Sequence, residues 1–185
     1  MKKVSILYGW AEGPGLGKKL RQELRKNGFS ITSKAEDADI IIAHSGGVFL
    51  VPKIEKPQIV LLVGLPHWPG KHPVRGLRQK VKADLKSQSS IKVLVRKTFY
   101  NILYFIFRPF HHLRIYGRWR RKIYPKDRTN SFVAVRNRHD TFMHPEGSVE
   151  LAAQMDWQLL SLDGQHDDIW YNPEAYVGII KKLSA

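Results

Sequence analysis

The chain contains no cysteine, which excludes disulfide stapling and any thiolate metal site. A cleavable leader pattern is missing too: Lys2 and Lys3 precede only a short apolar run, Val4 to Tyr8, and no A-x-A-like site follows. A cytoplasmic location is therefore the expectation. No apolar run reaches the ~20 residues that a bilayer-spanning helix needs, and the stretch from Phe99 to Phe107 is far shorter. Internal repeats and low-complexity linkers are absent. Acids are nearly absent from one long block: between Lys71 and Arg128, 17 Lys/Arg stand against only Asp84 and Asp127. That block carries the whole net charge of +15. Charge gathered in this way points to an anionic surface or ligand beside it. The 185 residues suit one domain with a sizeable core.

What is present reads as alternating strands and helices. Val4 to Tyr8 predicts a buried strand, followed by a glycine-rich loop from Gly13 to Gly17. Leu16, Leu20 and Leu24 recur at helical spacing, and Gly28 stands where such a helix would stop. Phe29 to Thr32 and Ile40 to Ala43 predict strands, and a helix is expected to open at Gly46. Gln58 to Gly64 is a continuous apolar run, the type found when both faces of a parallel sheet are covered. From Pro66 to about Asn130 the alternation stops and the composition turns basic and aromatic. Ser131 to Val135 resumes the sheet, Pro145 suits the first turn of a helix over 146–155, and Trp157 to Leu162 is the last strand. A closing helix runs from about Pro173 to Leu183.

Strand ends are where a parallel sheet puts its chemistry. The first of interest follows Ile40-Ile41-Ile42-Ala43-His44, where Ser45 precedes Gly46 and Gly47. A serine on a tight strand-to-helix turn needs small residues two positions to either side, because the two backbones approach closely there. Ala43 and Gly47 meet that need. Downstream, Asp140 follows a strand in Val135-Arg136-Asn137-Arg138-His139-Asp140, and His166 follows the last strand in Leu162-Asp163-Gly164-Gln165-His166. The order serine, acid, histidine is that of one known arrangement.

These residues resemble the α/β-hydrolase superfamily, most closely the small serine hydrolases typified by retinoblastoma-binding protein 9 and its bacterial relatives. The resemblance covers roughly residues 1–65 and 130–185. It implies a three-layer α/β sandwich with a mostly parallel sheet: a single compact domain with core 1–70 and 129–185 and a basic, largely helical lid, 71–128. It further implies that Ser45 is the nucleophile, His166 the general base and acid, and Asp140 the residue that orients the imidazole. The reaction would be hydrolysis of a small-molecule acyl compound through an acyl-enzyme, with no cofactor and no metal. An oxyanion hole would use the N–H of Gly46 and one from the loop after the first strand, at Trp10 or its neighbour Ala11. Ala43 departs from the usual glycine, and no His-Gly-Gly-Gly motif is present.

Blander roles compete at each position. Ser45 can be read as a turn serine capping the next helix. His166 can be a capping histidine in an acidic turn. Asp163, Asp167 and Asp168 are further acids, although they lie so near His166 in sequence that shaping its turn suits them better. The resemblance implies that His44 points away from the nucleophile's side and is structural, while His139 and His144 read as loop residues. His111 and His112 are neighbours whose side chains diverge, a poor pattern for a metal. The Gly13–Lys18 loop fits neither a phosphate loop nor a dinucleotide fingerprint, since Lys18 and Lys19 occupy the positions that matter.

The basic block mixes Phe99, Tyr100, Phe105, Phe107, Phe110 and Trp119 with Arg108, Arg114, Arg118, Arg120 and Arg121. Aromatic and basic side chains together suit the boundary between water and acyl chains, so an anionic membrane surface is one expected partner and a peripheral location follows. A lid whose aromatics pack on the core beneath a solvated basic face is the equal alternative. Nucleic acid would use the same composition, without any recognised motif to support it. A catalytically idle hydrolase fold that binds an anionic partner is the rival to the enzyme.

Overall fold

The computed structural model describes residues 1–10, 12–53, 56, 58–67, 91–126 and 131–185. Six strands form one sheet: β1 (Lys3–Leu7), β2 (Ser30–Thr32), β3 (Ile40–His44), β4 (Ile59–Val63), β5 (Ser131–Asn137) and β6 (Gln158–Leu162). Their order is β2-β1-β3-β4-β5-β6 and every neighbouring pair is parallel. β3 and β4 occupy the middle and are the strands with unbroken apolar runs; β3 is buried along its whole length. The helices are α1 (Lys18–Lys26), α2 (Ile91–Phe107), α3 (Pro109–Arg120), α4 (Pro145–Met155), the short α5 (Asp168–Tyr171) and α6 (Glu174–Ser184).

Two apolar clusters, one on each face, make the sandwich three-layered. On one face Leu20 and Leu24 of α1 and Tyr176, Val177 and Ile180 of α6 pack on Val4, Ile40, Ile42 and Leu61. On the other, Ile115 and Trp119 of α3 and Leu151 and Ala152 of α4 pack on Ile41, Ala43, Val60 and Leu62. The alternation of inward residues along each strand assigns neighbours to opposite faces. α3 falls in the basic block for which the resemblance implied a lid, and Ile115, Trp119 and Tyr124 of that block belong to the core, so the charge boundary at 71 and 128 is not a packing boundary. Residues 71–90 and 127–128 of that block lie outside the described residues.

Strand order reverses direction at the β1/β3 pair: from β1 the chain goes to β2 on one side and then to β3 on the other. Such a switch point opens a crevice at the carboxyl ends of its two strands, because their following loops part to opposite faces. The loop beginning at Tyr8 and the turn at Ser45 meet there.

Candidate active site

Instead of a regular α-helix at Gly46, the chain makes a six-residue 3₁₀ helix, Ser45–Leu50. Ser45 has φ +52°, a left-handed conformation that costs a non-glycine residue on the order of 1–2 kcal/mol. That strain lets β3 turn at once without pairing further. Gly47 shows why the turn demands small residues, since a Cβ there would overlap the Leu7 carbonyl at the end of β1. Ala43 needs no such clearance. Its methyl group sits in the apolar cluster between β3 and α3, so alanine serves where glycine is usual.

The loop after β1 backs directly onto the serine. A Cβ on Gly9 would stand 2.8 Å from Ser45 Cβ and 2.9 Å from Gly46 N, and one on Gly46 would stand 3.0 Å from Trp10 N. The backbone amides of Gly46 and Trp10 are therefore neighbours; Ala11 is not among the described residues. α3 closes the space above. Ile115 Cγ2 is 3.1 Å from that Gly46 Cβ position, and the Trp10 ring meets the rings of His112 at 5.1 Å and Tyr116 at 5.9 Å. Ser45 is left only 2% exposed.

Asp140 and His166 meet across the ends of β5 and β6. His166 Nδ1 donates to Asp140 Oδ2 at 2.7 Å, while Asp140 Oδ1 accepts from the backbone N–H groups of Phe142 and Met143 at 2.8 Å each. Asn137 ties the two loops together, donating to the Gln165 carbonyl at 2.9 Å and accepting from Tyr176 Oη. Asp168 shapes the turn by accepting from Gln165 N, and exposed Asp163 pairs with His139. His166 is 1% exposed, and its Nε2 is buried without a hydrogen-bond partner, so no hydrogen bond joins it to Ser45. Gly64, at φ +61°, makes room for the ring: a Cβ there would lie 2.7 Å from His166 Cε1.

His44, expected to face away from the nucleophile's side as a structural residue, is held by buried partners on both ring nitrogens. Its fully buried ring lies 4.6 Å from that of His166, and its Nε2 donates to the His166 carbonyl at 2.9 Å. Its Nδ1 meets Glu12 Oε1 at 2.6 Å, and Glu12 Oε2 accepts from Gly9 N at 2.7 Å. The reason is strand alternation: with Ala43 committed to the α3 face, His44 must face the other side, where the β6–α5 loop brings His166 over it. Glu12, His44, His166 and Asp167 also bring one potential ligand atom each within 4.8 Å of one another. Both His44 nitrogens and His166 Nδ1 already have protein partners. Glu12 was not foreseen as a site residue; its only signal was a lone acid in the loop after the first strand.

Burial opposes charge on His44, but the Glu12 carboxylate, with help from Asp167 and the His166 carbonyl, outweighs it and holds its pKa above the usual histidine value. Removing one partner of a buried ion pair costs about 3–5 kcal/mol, which for a chain of this length is roughly 10 °C in Tm. A raised pKa in the fold adds stability that is complete below the unfolded value of about 6.5 and is lost as pH climbs through the folded value. The Tm of the wild type is thus expected to fall as pH rises from about 6 into the alkaline range. Glu12→Gln should melt well below it at acid pH and lose that dependence. Equal melting curves for the two proteins would show that the pair contributes nothing.

No family model matches the chain, and no curated protein does. Solved structures do. The methylesterase MES16 from Arabidopsis superposes with a TM-score of 0.63 at 13% identity, covering 100% of this chain and 99% of that one. The ydeN gene product from B. subtilis gives 0.58 at 12%, covering 100% of both. A thioesterase domain from the curacin biosynthetic pathway gives 0.56 at 14%, covering 97% of this chain and 90% of that one. Identities this low speak to architecture. From the parallel sheet, its switch point and these likenesses together, the chain has the α/β-hydrolase fold.

Proposed function

We propose that the protein is a serine hydrolase that cleaves an ester or related acyl bond. Ser45 Oγ attacks the acyl carbon while its proton passes to His166 Nε2; the resulting oxyanion is held by the N–H groups of Gly46 and Trp10. Collapse expels the leaving group, which takes that proton from His166. Water then adds to the acyl-enzyme, again giving a proton to His166, and collapse releases the acid as Ser45 regains its hydrogen. Asp140 keeps Nδ1 protonated, so that Nε2 is the basic nitrogen, and stabilises the imidazolium. The observation that carries this reading is the buried Asp140–His166 pair whose outer nitrogen has no structural partner, standing beside the residue that precedes a strained serine. Apolar walls from Trp10, Ile115 and Tyr116 favour an acyl chain or another lipid-like group.

The near-complete burial of Ser45 supports one rival, an idle hydrolase fold that binds an anionic partner. A fluorophosphonate probe separates the two. The enzyme reading expects one adduct per chain, mapped by peptide mass spectrometry to the peptide that contains Ser45. A folded protein that takes no label, or takes it on another serine, would overturn it.

A further inference from the structure

We propose that the outer face of α2 and α3 docks the protein on an anionic lipid bilayer. Along α2, Val95, Phe99, Ile102 and Ile106 recur on one side of the helix and are each more than half exposed. The apolar surface continues across the joint through Phe107 at the end of α2 and Phe110 and Leu113 of α3, at 77%, 84% and 61% exposure. A contiguous apolar ridge of this extent on a charged protein marks a contact surface. Arg108, Arg114, Arg120, Arg121 and Lys122 are exposed around it, and the sequence from 85 to 126 has no acid at all.

Three properties of this face choose the partner. The aliphatic side chains have no use against a phosphodiester backbone, so the ridge favours acyl chains over nucleic acid. A second copy would bring two proteins of charge +15 together through their most basic segments. An anionic leaflet satisfies both chemistries, with side chains such as Phe107 and Phe110 among the acyl chains and guanidinium groups at headgroup level. No helix among the described residues is long and apolar enough to cross a membrane, so α2 would lie in the surface. The inner side of α3 borders the site, with Ile115 covering Gly46, while Tyr100 and Tyr104 of α2 border Gly15 and Gly13 in the loop after β1. Docking would thus hold the site against the layer that contains acyl substrates.

Vesicle flotation tests this without turnover, on both the wild type and Ser45→Ala, so failure of the hydrolase reading would leave the result standing. Vesicles of phosphatidylcholine mixed with phosphatidylserine should carry both proteins, vesicles of phosphatidylcholine alone should carry much less, and added salt should release them. Each arginine near an anionic surface is worth about fivefold in binding, so Arg120→Glu with Arg121→Glu should weaken partition by at least about 25-fold. Phe107→Ser with Phe110→Ser should weaken it at least about tenfold. Both pairs are exposed, and circular dichroism should show unchanged folding. Equal binding to neutral vesicles, indifference to either pair of substitutions, or preference for a duplex oligonucleotide over vesicles in competition would each overturn the proposal.

Discussion

Ser45→Ala is expected to lower ester hydrolysis by about a million-fold, the scale on which removing a nucleophilic serine abolishes acyl-enzyme formation. The loss should fall on chemistry and spare folding. Alanine adopts φ +52° at the same cost as serine, and the close approach of β1 is set by Gly9 and Gly47, which stay. Circular dichroism and Tm should therefore match the wild type while turnover of an activated ester, such as a p-nitrophenyl acyl compound, disappears. Residual hydrolysis above water of about 10³–10⁴-fold is compatible with the remaining oxyanion donors and binding surface. A variant within tenfold of wild type would remove Ser45 from the mechanism.

Asp140→Asn should cost about 10⁴-fold in kcat/KM, with most of the fall in kcat. The cause is a tautomer. Asp140 Oδ1 is held by the Phe142 and Met143 amides, so an asparagine would keep its carbonyl there and turn its NH₂ toward His166. Two N–H groups cannot face each other, and the ring would move its proton from Nδ1 to Nε2. The nitrogen meant to accept the serine proton would then already carry one. KM should change little, because Asp140 lies behind the histidine, away from Trp10 and Ile115. Near-normal turnover would instead assign the acid to another carboxylate, Asp167 being the nearest alternative in sequence.

Much of this architecture was legible because local pattern and tertiary role coincide. β3 and β4 are continuous apolar runs because both faces are covered, and their burial matches that pattern. Ser45, Asp140 and His166 stood out because each follows a strand, and in a parallel sheet all such positions share one rim. The Glu12–His44 pair left no comparable trace. Its partners are 32 residues apart, and His44 reaches a carbonyl 122 residues away, so nothing local encodes the contact. The role of α3 was hidden for a different reason. It lies in a block rich in arginine and lysine, while only His112, Ile115 and Trp119 of the helix are buried, and averaging over the segment hides that signal under charge.

The commitment of α3 to the sandwich limits how the serine can be reached. Lifting that helix would expose Ile115, Trp119 and Tyr124 to water and break the bond from Arg118 to the Phe49 carbonyl and that from Tyr124 to the Pro66 carbonyl. At about 1.5–3 kcal/mol for each large apolar side chain, the swing would cost roughly 5–9 kcal/mol before any polar loss. Traffic through so high a barrier would be rare. Among the described residues none of α2 belongs to either apolar cluster, and that helix joins α3 through Arg108, whose φ −140° and ψ 55° break the helix between them. α3 is thus a fixed wall of the site, and any path to the serine has to open beside that helix and not beneath it.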